Sequence, residues 1–171
     1  MGLILLRHLA PAGGQGLCYG RTDLAPGPGL AAGARAIAAR LPRPRRIVTS
    51  PLRRCRALAR ALGTRFRVAV TVEPAWTEID FGAWEGLPWD HVPRCELDAW
   101  AADLLGARPH GGESVAMLLA RTRRALARTP PGSLVVTHAG AIRAALVATG
   151  AGPAAWERRI GYGEAIRLRR P

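Results

Sequence analysis

Four short apolar runs constrain this chain more than any other feature: residues 3–6, 46–50, 67–72 and 133–137. Each has the length of a strand rather than of a helix. The first, Leu3-Ile4-Leu5-Leu6, is wholly aliphatic, the pattern of a strand buried on both faces. Stretches of helical period lie between and after these runs, at residues 29–41, 52–62, 114–128 and 142–149, and a last strand is expected at 163–168. Strands alternating with helices predict an α/β fold, a three-layer sandwich with a mainly parallel central sheet and helices on both faces. In such sheets ligands collect beyond the carboxyl ends of the strands. The residues that end the strands therefore carry most information. The first run ends in Arg7-His8 and the fourth in His138-Ala139-Gly140.

Arginine offers a fixed fork of donors suited to phosphate oxygens, and histidine a nitrogen that is unprotonated, and so nucleophilic, near neutral pH. Other segments point the same way. The glycine-rich loop 9–16 leads into Leu17-Cys18-Tyr19-Gly20-Arg21-Thr22-Asp23, where exposed backbone N–H groups can cradle an anion. Ser50-Pro51 reads as a helix start, with Ser at the N-cap and Pro at the first helical position. Arg53, Arg54 and Arg56 then crowd the first turns against the helix dipole, which makes sense if an anion binds at that end. Trp76-Thr77-Glu78-Ile79-Asp80-Phe81-Gly82-Ala83-Trp84-Glu85-Gly86 sets three carboxylates among aromatics, a setting expected to raise the pKa of one. Residues 88–105 read as helical with an interruption at Pro93. Residues 25–29 and the last few residues are the segments expected to lack order.

Composition narrows the chemistry. At 171 residues the chain reads as one domain, 1–171, with a sizeable core. It has a net charge of +13 and neither Lys nor Asn. The absence of Lys removes P-loop and Schiff-base mechanisms. So basic a chain suits an anionic partner. The arginines are scattered, with no aromatic-interleaved basic stripe, so a small phosphorylated substrate is expected rather than nucleic acid. Cys18, Cys55 and Cys95 have neither metal-site nor disulfide spacing, which suits a reducing cytoplasm. The first apolar run is too short for a signal peptide or a membrane span, so no membrane partner is expected. No cofactor and no metal are implied, and nothing indicates an oligomeric state.

Five pieces in order, Leu6-Arg7-His8, Ser50-Pro51-Leu52-Arg53-Arg54, the run Glu78 to Gly86, Gly111-Gly112-Glu113-Ser114, and Val136-Thr137-His138-Ala139-Gly140, resemble the histidine phosphatase superfamily. The resemblance implies the phosphoglycerate-mutase-like fold with a small cap segment around 84–112. It makes His8 the nucleophile that becomes phosphohistidine and Arg7 its phosphate-binding neighbour. The second phosphate-binding arginine falls on Arg54 rather than Arg53. Glu78 falls on the proton donor, and His138 on the second histidine, a donor to phosphoryl oxygens. Substrate contacts are expected at Gln15, Tyr19, Gly20, Arg21, Ala139 and Trp84. The chain departs from the pattern in having Leu9 where Gly is usual, and in lacking a loop Asn whose place Gln15 or loop backbone would take.

Physics supports these roles. Phosphoryl transfer depends mostly on positioning and charge stabilisation. A nucleophilic His splits hydrolysis into two steps, and a carboxylic acid protonates the leaving alcohol. Within the superfamily, the 17–23 segment, together with the Glu78 to Gly86 run and the short chain, is most similar to the α-ribazole phosphatases of cobalamin biosynthesis. That likeness implies metal-independent removal of the 5′-phosphate of α-ribazole 5′-phosphate. The alternatives are a phosphoglycerate mutase, a broad-specificity histidine phosphatase, and a basic binding module without catalysis.

Overall fold

The computed structural model describes residues 2–168. Five strands, β1 (Leu3–Arg7), β2 (Arg46–Thr49), β3 (Val70–Val72), β4 (Ser133–Thr137) and β5 (Ala165–Leu168), form one sheet in the order β3-β2-β4-β1-β5. All neighbours are parallel except β5, which runs antiparallel to β1 at the edge. The chain therefore has an α/β fold with a mostly parallel central sheet.

The two-residue period of the strands divides the core. Leu3, Leu5, Val48 and Val135 face α4 (Val115–Arg128) and α5 (Ala139–Ala148). Leu6, Ile47, Leu134 and Val136 face α1 (Leu30–Arg40) and α2 (Arg53–Phe66). The remaining helix, α3 (Arg94–Ala102), belongs to the segment 84–112 and starts directly after Pro93. Among the described residues no helix is long and apolar enough to cross a membrane.

Register positions the site. Arg7 lies opposite Thr137 in the parallel β1–β4 pair. The His8 amide then donates to the Thr137 carbonyl at 3.0 Å, so His8 and His138 leave the two central strands side by side. His138 is also the residue from which α5 springs, three residues earlier than its apolar pattern indicates.

Other local expectations are corrected. Ser50 does not cap α2; its N-cap is Leu52, with no side-chain cap, and the helix begins at Arg53 rather than Pro51. No separate anion is needed there: the Asp23 carboxylate accepts from the Arg53 amide at 2.6 Å. Arg67, at φ 54°, closes the C-terminus of α2, so the helix continues to Phe66 and β3 is shortened to three residues. Residues 25–29 are held in place: Pro26 pairs with Pro11, Ala25 accepts from the Ala12 amide, and Gly27 packs against the Ala10 carbonyl. The expected disorder of the last few residues falls at 169–171, outside the described residues.

Candidate active site

A cleft of about 520 Å³ opens at the carboxyl ends of β1 and β4. Arg7, His8, Arg54, Glu78 and His138 all line it, with Gln15 and Tyr19 on the loop side.

His8 is almost completely buried. Its Nδ1 lies 2.7 Å from the Leu9 carbonyl, which can only accept, so the proton sits on Nδ1. Nε2 is left with a free lone pair, and Arg54 Nε donates to it at 3.3 Å. Burial brings the pKa of His8 down to about 3; the Leu9 hydrogen bond opposes the fall, and the charges of Arg54 and Arg7 add to it. The imidazole is neutral at pH 7. Leu9 is compatible with this arrangement, because its carbonyl does the orienting while its side chain packs against Gly33 of α1 and Gly163.

Arg54 rises from the first turn of α2 and is also buried. Its NH1 donates to the Thr22 carbonyl and its NH2 to the Gly20 carbonyl, both at 2.7 Å. The same NH2 lies 3.3 Å from Nδ1 of His138. His138 accepts there, so its proton is on Nε2 and goes to Ser50 Oγ at 2.7 Å. That is the use the structure makes of Ser50. Burial first, then the nearby His8 and arginines, push His138 well below the ordinary imidazole range. The two rings meet edge-on with centroids 5.1 Å apart.

Arg7 is held by the Ile160 carbonyl at 2.5 Å, and its guanidinium lies 3.9 Å above the Tyr162 ring. Its Nε is buried with no acceptor among the described residues.

Glu78 reaches the cleft from the loop after the single turn Pro74–Trp76. Its two carboxylate oxygens accept from the Ile79 amide at 3.0 Å and from the Gly140 amide, in the first turn of α5, at 2.9 Å. Arg121 fixes the backbone that carries it. This buried guanidinium donates to the carbonyls of Ala75, Thr77 and Glu78 and forms a two-pronged pair with Glu113. The Gly-Gly-Glu-Ser motif is thereby explained structurally. Glu113 pairs with Arg121, Ser114 caps α4, and Gly112 stands where a Cβ would come within 2.2 Å of the Asp80 carbonyl.

The sequence model for the histidine phosphatase superfamily (branch 1) matches residues 3–169. The chain belongs to this superfamily. No curated protein matches the sequence. Among solved structures, the chain is similar to TTHB049 from Thermus thermophilus, with a TM-score of 0.81 and 30% identity over 100% of this chain and 95% of that one. It is similar to phosphoglycerate mutase from the same organism, at 0.80 and 30% over 99% and 95% of the two chains. It also resembles mycobacterial glucosyl-3-phosphoglycerate phosphatase, at 0.79 and 28% over 95% and 87%.

The expected substrate contacts divide. Gln15 and Tyr19 line the cleft. Trp84 does not: it is 1% exposed, packed in a core with Cys18 and Val92, and its indole N–H donates to Glu96 at 2.6 Å. Among the tryptophans it is Trp89, 39% exposed, that lines the cleft. Gly20 acts through its carbonyl on Arg54, and Arg21 pairs with Asp80 outside the cleft at 3.7 Å. Ala139 lines a separate apolar cavity of about 130 Å³ behind Glu78. The expected rise in carboxyl pKa fails for Glu85: burial pushes it up, but hydrogen bonds from Thr22, Arg21 and Phe81 outweigh that and hold it below its ordinary value. Sequence reasoning missed Tyr162, whose hydroxyl lies 2.6 Å from that of Tyr19 and whose ring supports Arg7. The Gly-Tyr-Gly setting was the available signal, because flanking glycines mark a chain turning at close quarters.

Proposed function

We propose that this member of the histidine phosphatase superfamily is a phosphomonoesterase that works through a phosphohistidine at His8. One observation carries the reading: a neutral, buried His8 points the lone pair of Nε2 towards the guanidinium of Arg54 in the cleft that Glu78 also lines. In the first step Nε2 attacks phosphorus and the bond from phosphorus to the leaving oxygen breaks. Arg7 and Arg54 take up the charge on the equatorial oxygens, and His138 donates to one of them once its Nε2–H turns from Ser50 Oγ to the phosphoryl group. Glu78 gives its proton to the leaving alkoxide. It then takes a proton from the water that cleaves the phosphohistidine, which releases phosphate and restores the imidazole. The reaction as proposed uses no metal and no cofactor.

We further assign the substrate as α-ribazole 5′-phosphate, a compact phosphate carrying a flat apolar base. The support is the cleft wall: Tyr19, Trp89 and Tyr162 stand beside the phosphate-binding groups, and rings of this kind stack on flat ligands. The 30% likeness to a phosphoglycerate mutase favours a second reading, mutase activity. Against it, the segment 84–112 contains one α-helix of nine residues and a single 3-10 turn at Trp89–His91, and so offers little lid.

The test is a panel of phosphomonoesters, with and without a chelator, scored for phosphate release and for 3- to 2-phosphoglycerate conversion. Rapid formation of an acid-labile phosphoenzyme, absent in His8→Ala, is the expected result. Turnover by His8→Ala would overturn the assignment, and conversion without phosphate release would replace it by the mutase.

A further inference from the structure

We propose that Glu85 is a positioning residue for phosphoryl transfer: through the backbone of residues 20–22 it fixes the guanidinium of Arg54 against His8. The proposal rests on the reading of Arg54 as a phosphate clamp given above.

Glu85 does not line the catalytic cleft, and its oxygens are already filled. The carboxylate accepts from the amides of Gly20 at 3.0 Å, Arg21 at 2.8 Å, Thr22 at 2.9 Å and Phe81 at 3.1 Å, and from the Thr22 hydroxyl. Three consecutive N–H groups converging on one anion form a nest, here filled by the protein's own carboxylate. These hydrogen bonds keep Glu85 ionised in spite of burial, so it is a poor candidate for the catalytic acid.

Each peptide has two sides. In the peptide between Gly20 and Arg21 the N–H turns to Glu85 and the carbonyl, on the opposite side, receives NH2 of Arg54; Thr22, whose amide and hydroxyl Glu85 also holds, offers its carbonyl to NH1. A guanidinium is a rigid planar fork, so fixing both terminal nitrogens fixes the direction of Nε. That nitrogen points at His8 Nε2. The packing leaves no slack at the start of the relay: a Cβ on Gly20 would lie 1.8 Å from the Ile79 carbonyl and 2.8 Å from Glu85 Oε1. Arginine carries several rotatable bonds, and orienting it otherwise costs side-chain entropy at each encounter with substrate. The carboxylate thus orders Arg54 in advance while remaining outside the cleft.

A double-mutant cycle tests this, with p-nitrophenyl phosphate as the substrate. Arg54→Ala alone must lower kcat/KM; if it does not, the reading of the clamp fails, irrespective of Glu85. Given that loss, Glu85→Gln is expected to lower kcat/KM by about 10- to 100-fold in the Arg54 enzyme and by less than about threefold in Arg54→Ala, because residues acting as one unit are not additive. Thr22→Val, which removes only the hydroxyl contact, is expected to follow the same pattern with a smaller loss, and it keeps the test available if Glu85→Gln does not fold. A separate readout is the ¹⁵N resonance of His8 Nε2, which should move in Glu85→Gln in the same direction as in Arg54→Ala. Equal losses in both backgrounds, or an unmoved His8 resonance, would overturn the relay.

Discussion

Nε of Arg54 lies 3.3 Å from Nε2 of His8, so the cation rests on the lone pair of the proposed nucleophile. Substrate must exchange this contact for one between Arg54 and a phosphoryl oxygen, which stabilises the charge as it develops. Arg54→Ala is therefore expected to cost on the order of 3 kcal/mol or more in transition-state stabilisation. Arg53 is the control: its side chain is exposed and only its amide is engaged, by Asp23. Arg53→Ala should change kcat/KM little, and steady-state kinetics on both variants will show whether the order holds.

The two buried imidazoles make stability depend on pH in a definite direction. His8 has a pKa of about 3 in the folded chain against 6.5 when unfolded, and His138 is shifted the same way. Between those values the unfolded chain binds protons that the folded chain refuses. Stability is thus fully present above about pH 6.5 and falls as the pH drops towards 3, by up to ~1.4 kcal/mol per pH unit for each imidazole. In His8→Gln one of these contributions vanishes. Urea unfolding at pH 7, 6, 5 and 4 should show a shallower fall for the variant; parallel curves would mean that His8 is not buried in its neutral form.

The two oxygens of Glu78 accept from the amides of Ile79 and Gly140, so Glu78→Gln removes the transferable proton together with one of these two hydrogen bonds, and a comparison of leaving groups separates the two effects. An alkyl alcohol leaves poorly without a proton, whereas p-nitrophenolate needs little help. In the phosphoryl-transfer step, measured by single turnover, alkyl phosphates should slow more than p-nitrophenyl phosphate. Equal slowing would remove Glu78 from the role of acid, and the enclosed Glu85 could not replace it.

The layered sheet and the place of the cleft were legible in the sequence because both follow from local periodicity. Leu3-Ile4-Leu5-Leu6 could hardly be anything but a central strand, and the chain leaving it had to present Arg7 and His8. The pairing of Arg7 with Thr137 that brings His8 beside His138 is a register between strands far apart in sequence, which composition does not encode. Ser50 shows the limit of a local rule. Ser-Pro is a good capping signal, but the hydroxyl is worth more to the buried Nε2 of His138. Glu85 shows the same limit for charge. Its neighbours in sequence are aromatic, whereas most of the donors that determine its acidity come from residues 20–22, with the Phe81 amide the local one.

Trp84 and Trp89 are expected to separate stability from specificity. Trp84 is enclosed, with Phe81, Trp100 and His110 around its ring, so Trp84→Ala should cost about 3–5 kcal/mol of folding stability through the cavity it leaves. Trp89 lines the cleft and is 39% exposed, with its ring edge-on to Phe81 and Trp84, so its removal should cost clearly less folding stability than that of Trp84. Ribose 5-phosphate shares the phosphate and sugar of the proposed substrate but lacks the base, so any preference between the two reports on the ring alone. Binding energy from that remote ring can be used to align the phosphate with His8. Wild type should favour α-ribazole 5′-phosphate in kcat/KM over both ribose 5-phosphate and 3-phosphoglycerate. In Trp89→Ala the preference over ribose 5-phosphate should shrink through loss of the α-ribazole rate, with the ribose 5-phosphate rate little changed. If wild type hydrolyses the three esters alike, the assignment of α-ribazole 5′-phosphate is wrong, whatever the phosphoenzyme experiment shows.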